Sequence, residues 1–131
     1  MQIKGIVLAS TCFLTALSAG TVAAADDMSG APLPALCQIA AAVMHYPSDA
    51  DKAKLQQIVS DASASAQNKT IAQALLNMQH QVGAADQQKL QQIMSDASAN
   101  AAMKDLATIV ASMNHKPSEG DKTKLKTLCG K

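Results

Sequence analysis

The chain repeats itself at an interval of 35 residues, and this repetition constrains the fold more than any other feature. "KLQQIVSDASAS" begins at Lys54, and "KLQQIMSDASAN" begins at Lys89. The same register extends without a gap over a third copy, which chance does not produce, so the sequence predicts a three-unit internal repeat. The aligned triplets include Leu36/Ile71/Leu106, Val43/Met78/Met113, His45/His80/His115, Asp51/Asp86/Asp121 and Leu55/Leu90/Leu125.

Each repeat contains two apolar stripes with helical spacing. In the middle copy the first stripe consists of Ile71, Ala74, Leu75 and Met78, and the second of Leu90, Ile93, Met94 and Ala97. Both follow the i, i+3, i+4, i+7 pattern of an amphipathic helix with one buried face. The chain is therefore predicted to be all-α, with six short helices in three two-helix repeats.

The turn inside each outer repeat carries the motif His-x-Pro-Ser-x-x-Asp, at residues 45–51 and 115–121. Proline cannot continue the hydrogen-bond ladder of the preceding helix, and a serine after it is a preferred N-cap for the next helix. An aspartate three residues later is favourable near a helix N-terminus. The predicted N-caps are Ser48, Ser65, Asn100 and Ser118, with Gly83 in place of serine in the middle copy.

Two cysteines predict that the repeats close on themselves. Across the helix pair that turns at residues 65–66, Val59 faces Ala72. In the same register Cys129 is the third copy of Val59, and Cys37 precedes Ala72 by one repeat. A disulfide requires Cα atoms within about 7 Å, whereas helices stacked about 10 Å apart in an open array keep the chain ends far apart. We therefore predict a compact bundle closed by a Cys37–Cys129 disulfide.

The N-terminal segment has the features of an export signal. Lys4 precedes an apolar run over residues 6–19, and Ala23-Ala24-Ala25 forms a small-residue cleavage pattern. The run is too short to span a membrane, so we expect no stable membrane anchor. Export to the periplasm or outside the cell also suits a disulfide. The predicted division is a signal peptide at 1–25, a flexible lead at 26–33 and a single helical repeat domain at 34–131.

Composition excludes several classes of function. Without Lys4 the basic side chains equal the ten acidic ones in number, so no basic surface is available for nucleic acid. Tyr46 is the only aromatic residue beyond the signal segment. The sequence has no Gly-x-Ser-x-Gly motif, no pair of cysteine ligands and no His-Glu motif, and Glu119 is the only glutamate. We therefore expect a protein that is not an enzyme and that has no resident cofactor.

The three aligned histidines are the exception to that expectation, and two interpretations of them remain open. If the repeats close into a ring, His45, His80 and His115 come together near one axis and form a zinc or copper site. Methionine sulfur from residues 44, 78 and 113 would then favour copper. Alternatively, each histidine lies in the last turn of a helix, where it interacts with the helix dipole, and Met78 and Met113 only fill the core.

Three functions fit these features. The first is a small exported scaffold that binds a protein partner, of the inhibitor or immunity type. The second is copper or zinc binding or sensing through the histidines. The third is an acid- or envelope-stress chaperone, in which histidine protonation opens the ring and exposes its apolar core.

Overall fold

The computed structural model describes residues 32–130, which form six α-helices and, within that range, no β-strand. The predicted all-helical class and the number of helices are confirmed. The helices are α1 (Pro32–Ala42), α2 (Asp49–Ser60), α3 (Ala66–Leu76), α4 (Ala84–Ser95), α5 (Ala101–Ser112) and α6 (Glu119–Cys129). None of these helices has the length and apolar character that crossing a membrane requires.

Helix α1 begins at Pro32, two residues before the predicted start of the repeat domain at residue 34. Proline is tolerated in the first turn of a helix because the N–H it lacks has no intrahelical partner there. Leu33 is already buried in the core, which holds this first turn in place. The predicted signal peptide at 1–25 and the rest of the predicted lead lie outside the described residues.

The N-caps are those that the sequence predicts. The Ser48 Oγ accepts a hydrogen bond from the Asp51 N–H at 3.2 Å. The Ser118 Oγ accepts from the Asp121 N–H at 3.1 Å, and the Asp121 carboxylate accepts from the Ser118 N–H at 3.3 Å. This reciprocal pair is a capping box. Side chains of Ser65 and Asn100 likewise cap α3 and α5, whereas Gly83 begins α4 without a side-chain bond.

Helices α2 and α4 end in matching aspartate turns that sequence reasoning did not identify. The Asp61 carboxylate accepts hydrogen bonds from the Ser63 N–H at 2.8 Å and the Ser63 hydroxyl at 2.7 Å. Asp96 and Ser98 repeat both bonds at the same distances. The Ser63 hydroxyl is the main cause of the lowered pKa of Asp61, and the Ser98 hydroxyl is the main cause of the lowered pKa of Asp96. These turns direct the chain from each outer helix back to the next inner one.

Three inner helices and three outer helices make up the domain. Helices α1, α3 and α5 contact one another, and each packs along one outer helix: α1 with α6, α3 with α2, and α5 with α4. The first and last helices therefore lie side by side, and the chain is not an open stack. The aligned leucine and isoleucine positions form the centre of the core and are at most 1% exposed: Leu36, Leu55, Ile71, Leu90, Leu106 and Leu125.

Candidate metal centre

The three histidines lie in the loops that follow the inner helices, not in the helices themselves. Helices α1, α3 and α5 end three or four residues before His45, His80 and His115 respectively. The φ angles of these histidines are 75°, 67° and 62°, in the left-handed region that is uncommon for residues other than glycine. The expectation that each histidine occupies a last helical turn is therefore wrong. The chain leaves the helical path early because the backbone N–H groups of the histidines have partners in the other loops.

Those partners are the histidines themselves. The His80 N–H donates to the His45 carbonyl at 2.8 Å, and the His115 N–H donates to the His80 carbonyl at 2.5 Å. The His45 N–H donates to the His115 carbonyl and closes the cycle. A residue held in the left-handed conformation costs on the order of 1–3 kcal/mol. The cycle of three backbone hydrogen bonds offsets this cost and fixes the three loops relative to one another.

The cycle brings the three imidazole rings together on an exposed surface. Ring centroids lie 5.4 Å apart for His45–His80, 5.0 Å for His45–His115 and 5.2 Å for His80–His115. The rings meet edge to face, the arrangement that aromatic quadrupoles favour. One ring nitrogen from each residue lies within 4.8 Å of the other two, and all three residues are exposed. Among the described residues this is the one group of histidine, cysteine and acidic side chains placed to hold a metal ion.

The donor set fits a small divalent ion. Zinc binds histidine nitrogen at about 2.0–2.1 Å, which places nitrogens of a tetrahedral site about 3.4 Å apart. Each exposed ring needs to move inward by only about 1 Å, an adjustment that side-chain torsions allow. No imidazole hydrogen-bonds to another group of the described residues, so no bond must break. Three ligands on one side leave the fourth position open toward solvent.

The methionines near the histidines belong to two environments. Met78 and Met113 are 1% and 3% exposed and form part of the hydrophobic core, as the packing interpretation predicts. Met44 is 68% exposed beside His45, and Tyr46 on its other side is 62% exposed. Core packing of two of the three methionines removes most of the sequence argument for copper.

An open cavity of about 440 Å³ adjoins the histidine cluster at His80. Its other lining residues are Tyr46, Lys52, Leu76, Met78 and Gln79. Sequence reasoning missed this cavity, because its walls come from two different repeats. The available signal was a departure from the repeat: positions 46 and 52 hold tyrosine and lysine, whereas the next copy has Gln81 and Gln87.

The structure also brings the two predicted disulfide partners together. Cys37 is buried on α1, Cys129 is partly buried at the end of α6, and the two residues approach to 2.5 Å. Both are free thiols in this structure. Burial raises the pKa of the Cys129 thiol. The geometry places Cys37 and Cys129 at the seam between the first and last helices.

Comparisons with known proteins found no protein-family model, curated protein or solved structure that matches the chain.

Proposed function

We propose that this protein binds a divalent transition-metal ion, with zinc as the best fit, through His45, His80 and His115. One observation supports the proposal above all others: ring nitrogens from three different loops lie within 4.8 Å of one another. The backbone cycle between the same residues positions the rings before any ion arrives. Preorganised ligands lose less conformational freedom on binding, which favours affinity.

The geometry favours zinc over copper. Three nitrogens around an axis suit the tetrahedral coordination of zinc, whereas Cu²⁺ prefers tetragonal arrangements that place ligands nearly in one plane. Copper nevertheless has the higher intrinsic affinity for nitrogen ligands. The proposed role is therefore zinc sequestration or sensing in which copper competes.

The finer features of the architecture belong to the same proposal. We infer a pseudo-threefold ring of two-helix repeats that a Cys37–Cys129 disulfide closes. We also infer that residues 1–25 are removed and that the protein is exported to the periplasm or beyond. The packing of α1 on α6 and the closeness of the two cysteines support the disulfide. An oxidising compartment outside the cytoplasm would favour the bond.

The proposal is tested by titrating the purified metal-free protein with Zn²⁺ in a calorimeter and by thermal unfolding. The chain has three histidines, so no other imidazole competes. We expect one ion per chain. At a free zinc concentration of 100 times Kd, stability rises by about 2.7 kcal/mol, which is about 10–20 °C in Tm for a domain of this size. Affinity falls in acid, because a protonated imidazole cannot bind a metal.

His80→Gly is the variant that separates metal binding from a structural role. Glycine adopts positive φ without strain and keeps the N–H and carbonyl of the backbone cycle. We expect the metal-free variant to be as stable as the wild type, within about 1 kcal/mol, and to bind zinc at least tenfold more weakly. An unchanged zinc affinity would contradict the proposal. Large destabilisation of the metal-free variant would show that the His80 imidazole also has a structural role, and the comparison of zinc affinities would then be made with His80→Asn.

A protein-binding function is the second candidate, and one observation favours it. Met44 and Tyr46 are exposed apolar side chains that flank His45. The other repeats carry polar residues at these positions, as Gln79/Gln81 and Asn114/Lys116. The test is capture of a protein partner from the exported fraction, as inhibitor and immunity proteins bind their targets. We expect the wild type to retain a partner in stoichiometric amount, and the variant with both Met44→Gln and Tyr46→Gln to retain none. Capture that survives both substitutions removes this surface as the binding site.

A further inference from the structure

We propose that the cavity beside His80 binds a small aliphatic carboxylate, whose acid group takes the open position of the metal centre and pairs with Lys52. This inference rests on the proposed metal-binding function and extends it to a second ligand. The ligand class follows from the charge of the centre, from the lining of the cavity and from an asymmetry between the repeats.

The charge of the centre calls for an anion. Three neutral imidazoles leave a divalent ion with its full charge of about +2, and no carboxylate or thiolate belongs to the ligand group. An anion in the open position therefore gains Coulomb energy that a water ligand does not. A carboxylate oxygen is a ligand that zinc accepts readily.

The cavity supplies a second positive charge and an apolar wall. The Lys52 Nζ lies 5.6 Å from the centre of the Tyr46 ring, in a cation–π contact. Lys52 also pairs with Asp49 at 3.2 Å, but the Asp49 side chain is fully exposed, so that pair is weak. Leu76 and Met78 line the same cavity and provide contacts for a hydrocarbon chain. A volume of about 440 Å³ lies in the lower half of the usual range for small-molecule sites.

The residues that line this cavity are not repeated as a set in the other two copies. The counterparts of Lys52 are Gln87 and Lys122, and the counterparts of Tyr46 are Gln81 and Lys116. Lysine and tyrosine thus occur together in one copy only. Lys122 also forms an equivalent pair, with Glu119 at 2.8 Å, yet it does not line this cavity. It is therefore the matched control for Lys52.

The test uses the full chain loaded with Co²⁺, whose visible absorption reports exchange of the open-position ligand. Acetate, butanoate and inorganic phosphate are titrated separately. We expect butanoate to bind about tenfold more tightly than acetate, because two further CH₂ groups are buried. Phosphate is expected to bind more weakly than butanoate, since it has no chain to place against Leu76 and Met78.

Lys52→Gln, which introduces the residue found at position 87, is expected to weaken butanoate binding about tenfold through loss of a charge-assisted hydrogen bond. Lys122→Gln should change it less than twofold, and both variants should keep wild-type metal affinity in calorimetry. Equal affinity for acetate and butanoate, or equal effects of the two lysine variants, overturns the carboxylate site while the metal centre stands. Absence of metal binding in calorimetry overturns both proposals.

Discussion

Replacing the two cysteines by the residues that the repeat itself uses at those positions isolates the contribution of the proposed disulfide. The counterparts of Cys37 are Ala72 and Ala107, and all three side chains are fully buried. The counterpart of Cys129 two repeats earlier is Val59. Cys37→Ala with Cys129→Val therefore preserves the local packing that the fold already tolerates. The bond would close a loop of roughly 90 residues, which in the chain-entropy model stabilises the folded state by about 4–5 kcal/mol.

We expect the double variant to lose about 4–5 kcal/mol of unfolding free energy relative to the oxidised wild type through loss of the bond. Lost sulfur packing adds about 1 kcal/mol or less to this difference. Denaturant unfolding monitored by circular dichroism measures the difference, and Tm should fall by about 20 °C or more. Reductant should lower wild-type stability by a similar amount and leave the variant unchanged. The same midpoint denaturant concentration for oxidised wild type and variant would contradict a Cys37–Cys129 disulfide. Two free thiols found by mass spectrometry in the exported protein would contradict it as well.

Three further substitutions test separate features of the fold. Asn68 is 1% exposed, and its Oδ1 has no hydrogen-bond partner among the described residues. Asn68→Met, which introduces the residue found at position 103, should therefore raise the free energy of unfolding in urea by about 1–3 kcal/mol. A loss of stability would show that the amide has a role. Gly83→Ser should raise the free energy of unfolding by about 0.5–1 kcal/mol, because serine adds the missing side-chain cap of α4. A Cβ at this position meets nothing within 4 Å. An unchanged free energy of unfolding would contradict the capping argument. Ser98→Ala should raise the pKa of Asp96 toward its ordinary value of 3.8, because hydrogen bonds from the Ser98 hydroxyl, the Ser98 N–H and Gln67 lower it. Because the pKa of Asp96 is lower in the folded protein, these hydrogen bonds stabilise the fold above about pH 4, and that stabilisation is lost as pH falls through the folded pKa. NMR titration of the Asp96 carboxyl carbon measures the pKa in both proteins. The same pKa in wild type and variant would contradict the assignment of these hydrogen bonds as its cause.

The helices and their caps were predictable because they depend on local sequence. The apolar stripes around Leu36, Ile71 and Leu106 have helical spacing, and those side chains are fully buried. Cap residues act on N–H groups within three positions, so Ser48 and Ser118 could be assigned from the motif alone. The side-by-side placement of the first and last helices was predictable for a different reason, namely that the cysteine positions continue the register of the internal helix pairs.

The loops were not predictable in the same way, because their conformation depends on partners far away in sequence. A positive φ at His45 is stable only while the carbonyl of His115 receives its N–H. The motif His-x-Pro-Ser does not indicate which group accepts this hydrogen bond. The position of the proline also suggested that the preceding inner helix continues to the histidine, whereas it ends three or four residues earlier. The cavity beside His80 was missed for the same reason, since Lys52 and Leu76 come to line one cavity only after two repeats have packed.

The contact between α1 and α6 and the histidine cluster both depend on the closed arrangement of the helices. Each histidine follows an inner helix, and the backbone cycle needs all three loops at one place, so it exists only when α1 lies against both α3 and α5. The packing of α6 along α1 holds the first inner helix in that position from outside. An open stack of the same repeats would bury the same aligned leucines between neighbours, yet it would leave His45 and His115 apart. Closure, rather than repetition alone, is therefore the physical condition for a three-nitrogen site in this chain.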